Sequence, residues 1–319
     1  MRETVLKATG AASSMIVTPP NAGLDFAAIK MRQGYMIVSA DPITGVASQI
    51  GRYAMNVSAN DVATSGNRPQ FAESVVLLAE QSDVAYVRRL AQEMDAAAKE
   101  LGIAIVGGHT EVTPGLMRPI IVVTAFSFVN RYVSSGDARE GDILLMTKTA
   151  GIEGTAAIAG GDVASAAGIS KAVARSAAKF VSQMSIVDEA VAGFQTGAVH
   201  AMHDCTEGGV LGAAFEMSLA SGLGFRLEEQ LVPVADVTRI LCERLSLDPL
   251  KLIGSGSLLL AVERGSESRV KKALAPICKV TRVGEFTRRR RILVTRGGKE
   301  QWMRSAPEDE LWRVLGRPV

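Results

Sequence analysis

The chain has 319 residues, 47% of them hydrophobic and 5% aromatic, enough for two domains with cores of Ala, Val, Ile, Leu and Met. Its 35 basic and 33 acidic side chains leave a net charge of +2, which excludes a general attraction to nucleic acid or an anionic membrane. Cys205, Cys242 and Cys278 are widely spaced and form no CxxC or zinc pattern, no stretch reaches transmembrane length, and the N-terminus lacks a signal-like pattern, so a soluble cytoplasmic protein is expected.

Thr18-Pro19-Pro20 stops any regular element near the N-terminus. Strands are predicted at 26–30 and 35–39, joined by a turn at Gln33-Gly34. A loop from Asp41 to Gly45 follows, then a helix from Ile50 to Ala63 with apolar residues near helical spacing. A strand is predicted at 70–78. An amphipathic helix from Val84 to Leu101 turns Val87, Leu90, Met94 and Ala98 inward, and Gly102 stops it. Strands at 103–106 and 119–128 complete a first domain of alternating helices and strands. The turn-rich stretch 136–141 marks the boundary, giving domains 1–135 and 136–319. The second opens with a strand at 142–147, followed by helices at 152–159 and 171–184 with a mobile, small-residue segment at 160–168 between them. A helix from 185 to about 196, a strand at 201–204, a helix at 209–221, a buried strand at 257–262 and a helix at 266–274 follow. Arg288-Arg289-Arg290-Arg291 reads as a solvated turn or edge strand.

Four clusters carry the chemistry. In Ser39-Ala40-Asp41-Pro42-Ile43-Thr44-Gly45 a carboxylate follows apolar sequence, as Mg²⁺ held against phosphates requires; a turn cap is the alternative. Asn60 and Asp61 are poor helix formers in a helical stretch, which suits either ligation of metal or phosphate or a helix end. Gly107-Gly108-His109-Thr110-Glu111 offers glycines that let backbone approach a phosphate, a His able to move protons and an acid able to complete a metal shell; a hairpin turn needing positive φ competes with that reading. His203-Asp204-Cys205-Thr206-Glu207-Gly208-Gly209 joins a strand to a helix start, a place where free N–H groups bind anions, while Asp204 or Thr206 also suits an ordinary N-cap. Cys205 reads as a small buried side chain rather than a nucleophile. Gly254-Ser255-Gly256-Ser257 lacks a Walker pattern and either packs against a nucleotide or permits a bulge.

In this order the motifs resemble the superfamily of aminoimidazole ribonucleotide synthase (PurM-like), over roughly residues 18–294. Its hydrogenase-maturation (HypE) branch and the synthase-related proteins are the nearest in pattern. The resemblance implies a two-domain α/β (α+β) fold, with N-terminal mixed sheets of two subunits pairing into a barrel to give a homodimer, and a C-terminal α/β sandwich. It implies ATP and Mg²⁺ as cofactors. Asp25, Asp41, Asp61 and Glu111 would be metal ligands, Asn60, Gly107, Gly108, Thr110, Thr206, Gly208 and Gly209 would contact the nucleotide, and His109 and Asp204 would be catalytic. The implied chemistry is phosphoryl transfer from ATP to a carbonyl or carboxamide oxygen of an unidentified small molecule. A single acid in Gly23-Leu24-Asp25-Phe26-Ala27 and the lack of a cysteine after Cys278 depart from the hydrogenase-maturation pattern, so the modified tail cysteine of that branch is not expected here. A non-catalytic nucleotide-binding scaffold and a small-molecule kinase like thiamine-monophosphate kinase stay open as alternatives.

Overall fold

A computed structural model describes residues 9–44, 48–160 and 162–316; Gly45, the end of the first acidic motif, lies outside them. The chain forms two sheets. The first has six strands, β1 (Ile16–Thr18), β2 (Ala27–Lys30), β3 (Tyr35–Ile43), β4 (Phe71–Leu78), β5 (Ala104–Val112) and β6 (Ile120–Val129), in the order β1-β2-β3-β6-β4-β5. All neighbours are antiparallel except β4 and β5. One face is covered by α1 (Ile50–Ala63) and α2 (Val84–Leu101), and β6 alternates buried and half-buried residues accordingly. Asp83 caps α2 by accepting the Tyr86 N–H, and Gly102 ends it at φ +73°, as its sequence requires.

The second sheet has seven strands, β7 (Ile143–Thr147), β8 (Val199–Asp204), β9 (Gly224–Glu228), β10 (Leu258–Val262), β11 (Val280–Thr287), β12 (Arg291–Val294) and β13 (Glu300–Trp302), ordered β13-β12-β9-β11-β7-β10-β8. The continuous apolar runs of β7 and β10 are buried along their whole length, as central strands covered on both faces must be. The helices here are α3 (Ile152–Ala159), α4 (Asp162–Ala166), α5 (Lys171–Ala178), α6 (Val187–Gln195), α7 (Gly209–Ser221), α8 (Asp236–Leu245), α9 (Glu267–Leu274) and α10 (Trp312–Leu315).

The two units share a core. The largest apolar cluster runs from Ile121 and Val123 of the first sheet through α1 to Leu145, Leu258 and Leu260 of the second. Every α1 residue except Arg52 is therefore buried, which is why a helix this rich in Asn, Ser and Asp must find a partner for each polar group. Ser58 Oγ, for instance, donates to the Val123 carbonyl at 2.8 Å.

Several sequence expectations are corrected. β3 runs on through Ile43, so Asp41 lies within a strand and not in a loop, paired opposite Val123. β5 does not stop at residue 106 but carries the Gly107–Glu111 motif along its length. The expected helix 171–184 gives way to a 3₁₀ turn from Lys179 to Gln183. The strands β1, β9, β11, β12 and β13 and the helix α8 were not foreseen; the apolar runs of the strands are brief or irregular, whereas α8 is amphipathic over ten residues and was legible. The arginines at 288–290 form an exposed turn between β11 and β12.

Candidate functional site

Where the two units meet, a cleft of about 540 Å³ is lined by six carboxylates, Asp25, Asp41, Asp61, Glu153, Glu207 and Glu216, together with His203 and, among the described residues, no Lys or Arg. The acids arrive from different elements. Asp25 precedes β2, Asp41 lies on β3, Asp61 on α1, Glu153 on α3 and Glu216 on α7. Asp204, the last residue of β8, is 1% exposed beside them.

His203 holds the two units together at this point. It is 3% exposed, and its Nδ1 lies 2.8 Å from the Asp204 carbonyl, which fixes Nδ1 as a donor. Its Nε2 lies 2.9 Å from Asp25 Oδ1 and 3.2 Å from Glu216 Oε2. Neither oxygen is in line with the ring N–H, so these are ion-pair contacts rather than aligned hydrogen bonds. Burial alone would favour neutral imidazole. The charges of Asp25 and Glu216 outweigh it and raise the His203 pKa well above its ordinary 6.5.

The carboxylates are not balanced by that one cation. Burial, and then a hydrogen bond with and the charge of Asp41, raise the Asp61 pKa well above the usual range, with Asp204 and Asp25 adding to it; Ser39 Oγ donates to Asp61 at 2.7 Å. Burial and the charge of Asp25 do the same to Asp204, against the opposing pull of His203. Burial pushes Glu153 up to about 7. Both carboxylate oxygens of Asp204, Asp25 Oδ2, Glu153 Oε2 and the Ser255 hydroxyl are buried with no hydrogen-bond partner. Five such oxygens at one place are costly unless a cation meets them. Asp25, His203 and Asp204 each place one donor atom within 4.8 Å of the others. His203, protonated on both ring nitrogens, has no lone pair for a metal, but the carboxylate oxygens of Asp25 and Asp204 suit a hard divalent cation.

Of the residues singled out in the sequence, Asp25, Asp41, Asp61, Asp204 and Thr206 converge here. The rest do not. Asn60 is fully buried and faces away from its neighbour Asp61, as adjacent helical residues do. Its Nδ2 donates to the Met184 carbonyl at 2.8 Å and its Oδ1 accepts from the Ile186 N–H at 3.0 Å, so its amide clamps one unit to the other. Gly208 donates its N–H to Asp309 at 2.7 Å, Gly209 to the Thr206 carbonyl, and Gly212 to the Gly208 carbonyl. The N-terminus of α7 is thus largely satisfied and offers little to an anion. Gly209, at φ +60°, is needed because a Cβ would press on the carbonyls of Leu252 and Leu250 at 2.6 and 2.8 Å.

Gly107, Gly108, His109, Thr110 and Glu111 lie on β5, the far edge of the first sheet, where every residue is exposed. Asp41 opposes Val123, Val123 opposes Ser74, and Ser74 opposes Gly108, so three strand spacings separate Asp41 from Gly108, roughly 14 Å. Within one chain this motif does not reach the cleft. It forms no hairpin turn either. A bulge between Ala72 and Glu73 of β4 and residues 105–107 of β5 is followed by Gly108 at φ +150°, where a Cβ would strike the Ser74 carbonyl. His109 Nε2 pairs with Glu111 Oε2 at 3.2 Å on the exposed surface.

His203, Glu153, Glu216 and Trp312 went unassigned in the sequence, while Ser255 lay in the Gly254–Ser257 motif given either a nucleotide contact or a bulge. His203 adjoins Asp204 in its motif. Glu153 follows Gly151 after an apolar strand, the same pattern that marked Asp41. Trp312 arrives from the C-terminal segment with no local signal; its Nε1 donates to Glu207 at 3.2 Å, while Pro307 and Asp309 of the same segment cover Gly208. Cys205 is fully buried with its thiol raised well above 9.0, first by burial, so it is no nucleophile.

Residues 23–129 match the N-terminal domain of AIR synthase related protein and residues 139–296 match its C-terminal domain. The chain belongs to the AIR synthase related family. It is 29% identical over 239 residues to the carbamoyl dehydratase HypE of Escherichia coli (strain K12), a match that spans 73% of this chain and 68% of that one. The crystal structure of hydrogenase maturation protein HypE in complex with ATP superposes with a TM-score of 0.73 at 22% identity, over 92% of this chain and 91% of that one. AaThiL complexed with AMPPCP and TMP superposes at 0.71 and 19% identity, over 91% and 90%. The two-domain PurM-like architecture is therefore common to all three. No helix among the described residues is long and apolar enough to cross a membrane.

Proposed function

We propose that this chain is an ATP- and Mg²⁺-dependent enzyme that activates a carbonyl or carboxamide oxygen by phosphoryl transfer. The observation that carries the reading is the meeting of Asp25, Asp41, Asp61 and Asp204 from both units in one cleft, with buried carboxylate oxygens left without partners. A solved relative of this fold binds ATP and another binds AMPPCP, which supports a nucleotide at the same architecture. Asp25, Asp41, Asp61 and Asp204 would hold the metal, whose charge would neutralise the phosphates.

The chain's own residues do the rest. His203, kept cationic by Asp25 and Glu216, fixes the Asp25 carboxylate and so the distance between the units. In the reaction the substrate oxygen attacks the γ-phosphorus, the bond to the ADP oxygen breaks, and a carboxamide releases one N–H proton. Glu153 Oε2, buried and unpartnered, is placed to take that proton. Loss of phosphate then follows attack by a nitrogen nucleophile or elimination.

A homodimer belongs to this reading. β5 leaves a sheet edge open and exposes Ile105, Val106 and Val112 by 42%, 53% and 54%. A second copy on that edge would cover them and give His109, Thr110 and Glu111 a nucleotide to meet. Calorimetric titration with ATP and Mg²⁺ tests the function. The expected result is saturable, Mg²⁺-dependent heat that Asp41→Ala abolishes; no heat at millimolar ligand would overturn it. Labelled ATP then separates two chemistries, since label kept on the acceptor means a kinase and label in free phosphate means activation followed by displacement.

A further inference from the structure

The second unit holds another cavity, of about 840 Å³, at the end of its sheet where β7 stops and β11 begins. Its charge is the reverse of the cleft's. Lys148, Arg239, Lys279 and Arg296 line it, and among the described residues no carboxylate does.

The four cations are not equivalent. Lys148 is committed: its Nζ lies 2.6 Å from the buried Glu189 and donates to the carbonyls of Gln183 and Ser185 at 3.1 and 2.6 Å. It builds the floor and has no proton left to give a ligand. Arg239 and Arg296 stand at the rim in exposed pairs with Asp236 at 3.4 Å and Glu229 at 3.3 Å. Pairs of this kind are worth at most about 1 kcal/mol, and each guanidinium retains further N–H donors for an incoming oxyanion. Lys279 makes no ion pair among the described residues.

Two features show what else a ligand would meet. Thr149 lines the cavity, with its Oγ1 buried beneath the cavity surface and without a hydrogen-bond partner. Residues 232–234, Val-Pro-Val, and Ile277, which is 42% exposed, supply an apolar wall. An apolar wall under a cationic rim matches an amphipathic anion rather than a bare ion.

We propose that this cavity binds a small organic oxyanion, a carboxylate or phosphate ester carried on an apolar body, through Lys279, Arg239 and Arg296. The site is separate from the acidic cleft, which repels such a ligand unless a cation bridges it.

Cys278 allows a direct test. It lines the cavity and is only partly buried, whereas Cys205 and Cys242 are buried. Burial pushes its thiol up to about 11, so alkylation of the full chain by N-ethylmaleimide is followed at about pH 9, where some thiolate is present. Phenyl phosphate and benzoate are the probes, with neutral benzyl alcohol as control. The expected result is that one or both anions slow Cys278 labelling saturably and benzyl alcohol does not; the better protector identifies the head group. Lys279→Gln and Arg239→Gln, both surface changes, should each weaken protection about tenfold, the loss of one charge-assisted contact. Asp61→Asn should leave protection unchanged. Labelling that ignores both anions, protection undiminished in the two rim variants, or protection lost in Asp61→Asn would each overturn the proposal.

Discussion

The acidic cleft and the basic cavity are opposite solutions to holding an anion. The cleft gathers six carboxylates from both units around one histidine, so it attracts a polyanion only through a metal. The cavity presents four cations and an apolar wall from the second unit alone, so it can take an anion directly. The difference extends to how each is kept in place. In the cleft Asp61, Glu153 and Asp204 are buried, mutually repelling and partly unpartnered, whereas the cavity's rim charges are solvated and its one buried cation is saturated. Strained charge marks a place where chemistry is poised; relaxed charge marks recognition.

The largest effect expected from breaking this contrast is on turnover. Asp61→Ala removes a group that lies between the units and accepts from Ser39. ATP-dependent phosphate release should fall by about a hundredfold or more, the scale of losing one preorganised electrostatic contact. Rates within twofold of wild type in a coupled phosphate assay would remove the cleft from the mechanism. Lys279→Gln in the same assay separates the two sites, since it leaves every cleft residue in place.

The next effect is on stability. Glu153 binds its proton more tightly in the folded chain, at about 7 against an ordinary value of 4.5. Its contribution is therefore fully present below about pH 4.5 and is lost as pH rises toward about 7. For a shift of this size the loss is about 3 kcal/mol at most. Glu153→Gln should flatten the metal-free stability profile between those pH values, as read by urea unfolding. An unchanged profile would show that Glu153 keeps its charge solvated.

A smaller effect belongs to the β5 edge. Gly108→Ala places a Cβ against the Ser74 carbonyl at φ +150°, which should cost about 1–3 kcal/mol. If β5 joins a second copy, sedimentation should also show a weakened dimer. A dimer of unchanged strength would place the subunit contact elsewhere.

How much of this was legible in the sequence depends on the range of the interaction. Asp41, Asp61 and Asp204 were visible because each follows an apolar segment with small residues nearby, a local pattern. Asn60 carried the same signal and has another task, because its partners, Met184 and Ile186, are more than 120 residues away. Glu153 repeats the Asp41 pattern and could have been found. The Asp309 cap on Gly208 and the Trp312 contact with Glu207 depend on a distant segment, so local reading credited the N-terminus of α7 with more free donors than it has. The long central helices and the apolar strands β7 and β10 were read correctly because their periodicity is sustained. The length of β5 was not, because two glycines in a strand look like its end.

The finest test of the contrast compares one charge from each site in the metal-free protein. Asp204 is buried with both carboxylate oxygens unpartnered and its pKa driven upward by burial and by Asp25. Asp204→Asn keeps the shape and removes the repulsion, so it should raise stability by about 1 kcal/mol or more. Lys279 stands at a solvated rim, and Lys279→Gln should leave stability within about 0.5 kcal/mol of wild type. Adding Mg²⁺ should then stabilise the wild type through mass action and gain less in Asp204→Asn, while Lys279→Gln responds as wild type does. Equal melting shifts with Mg²⁺ in all three proteins would mean that the cleft's charges are balanced without a metal, and the distinction between strained and relaxed charge would fall with them.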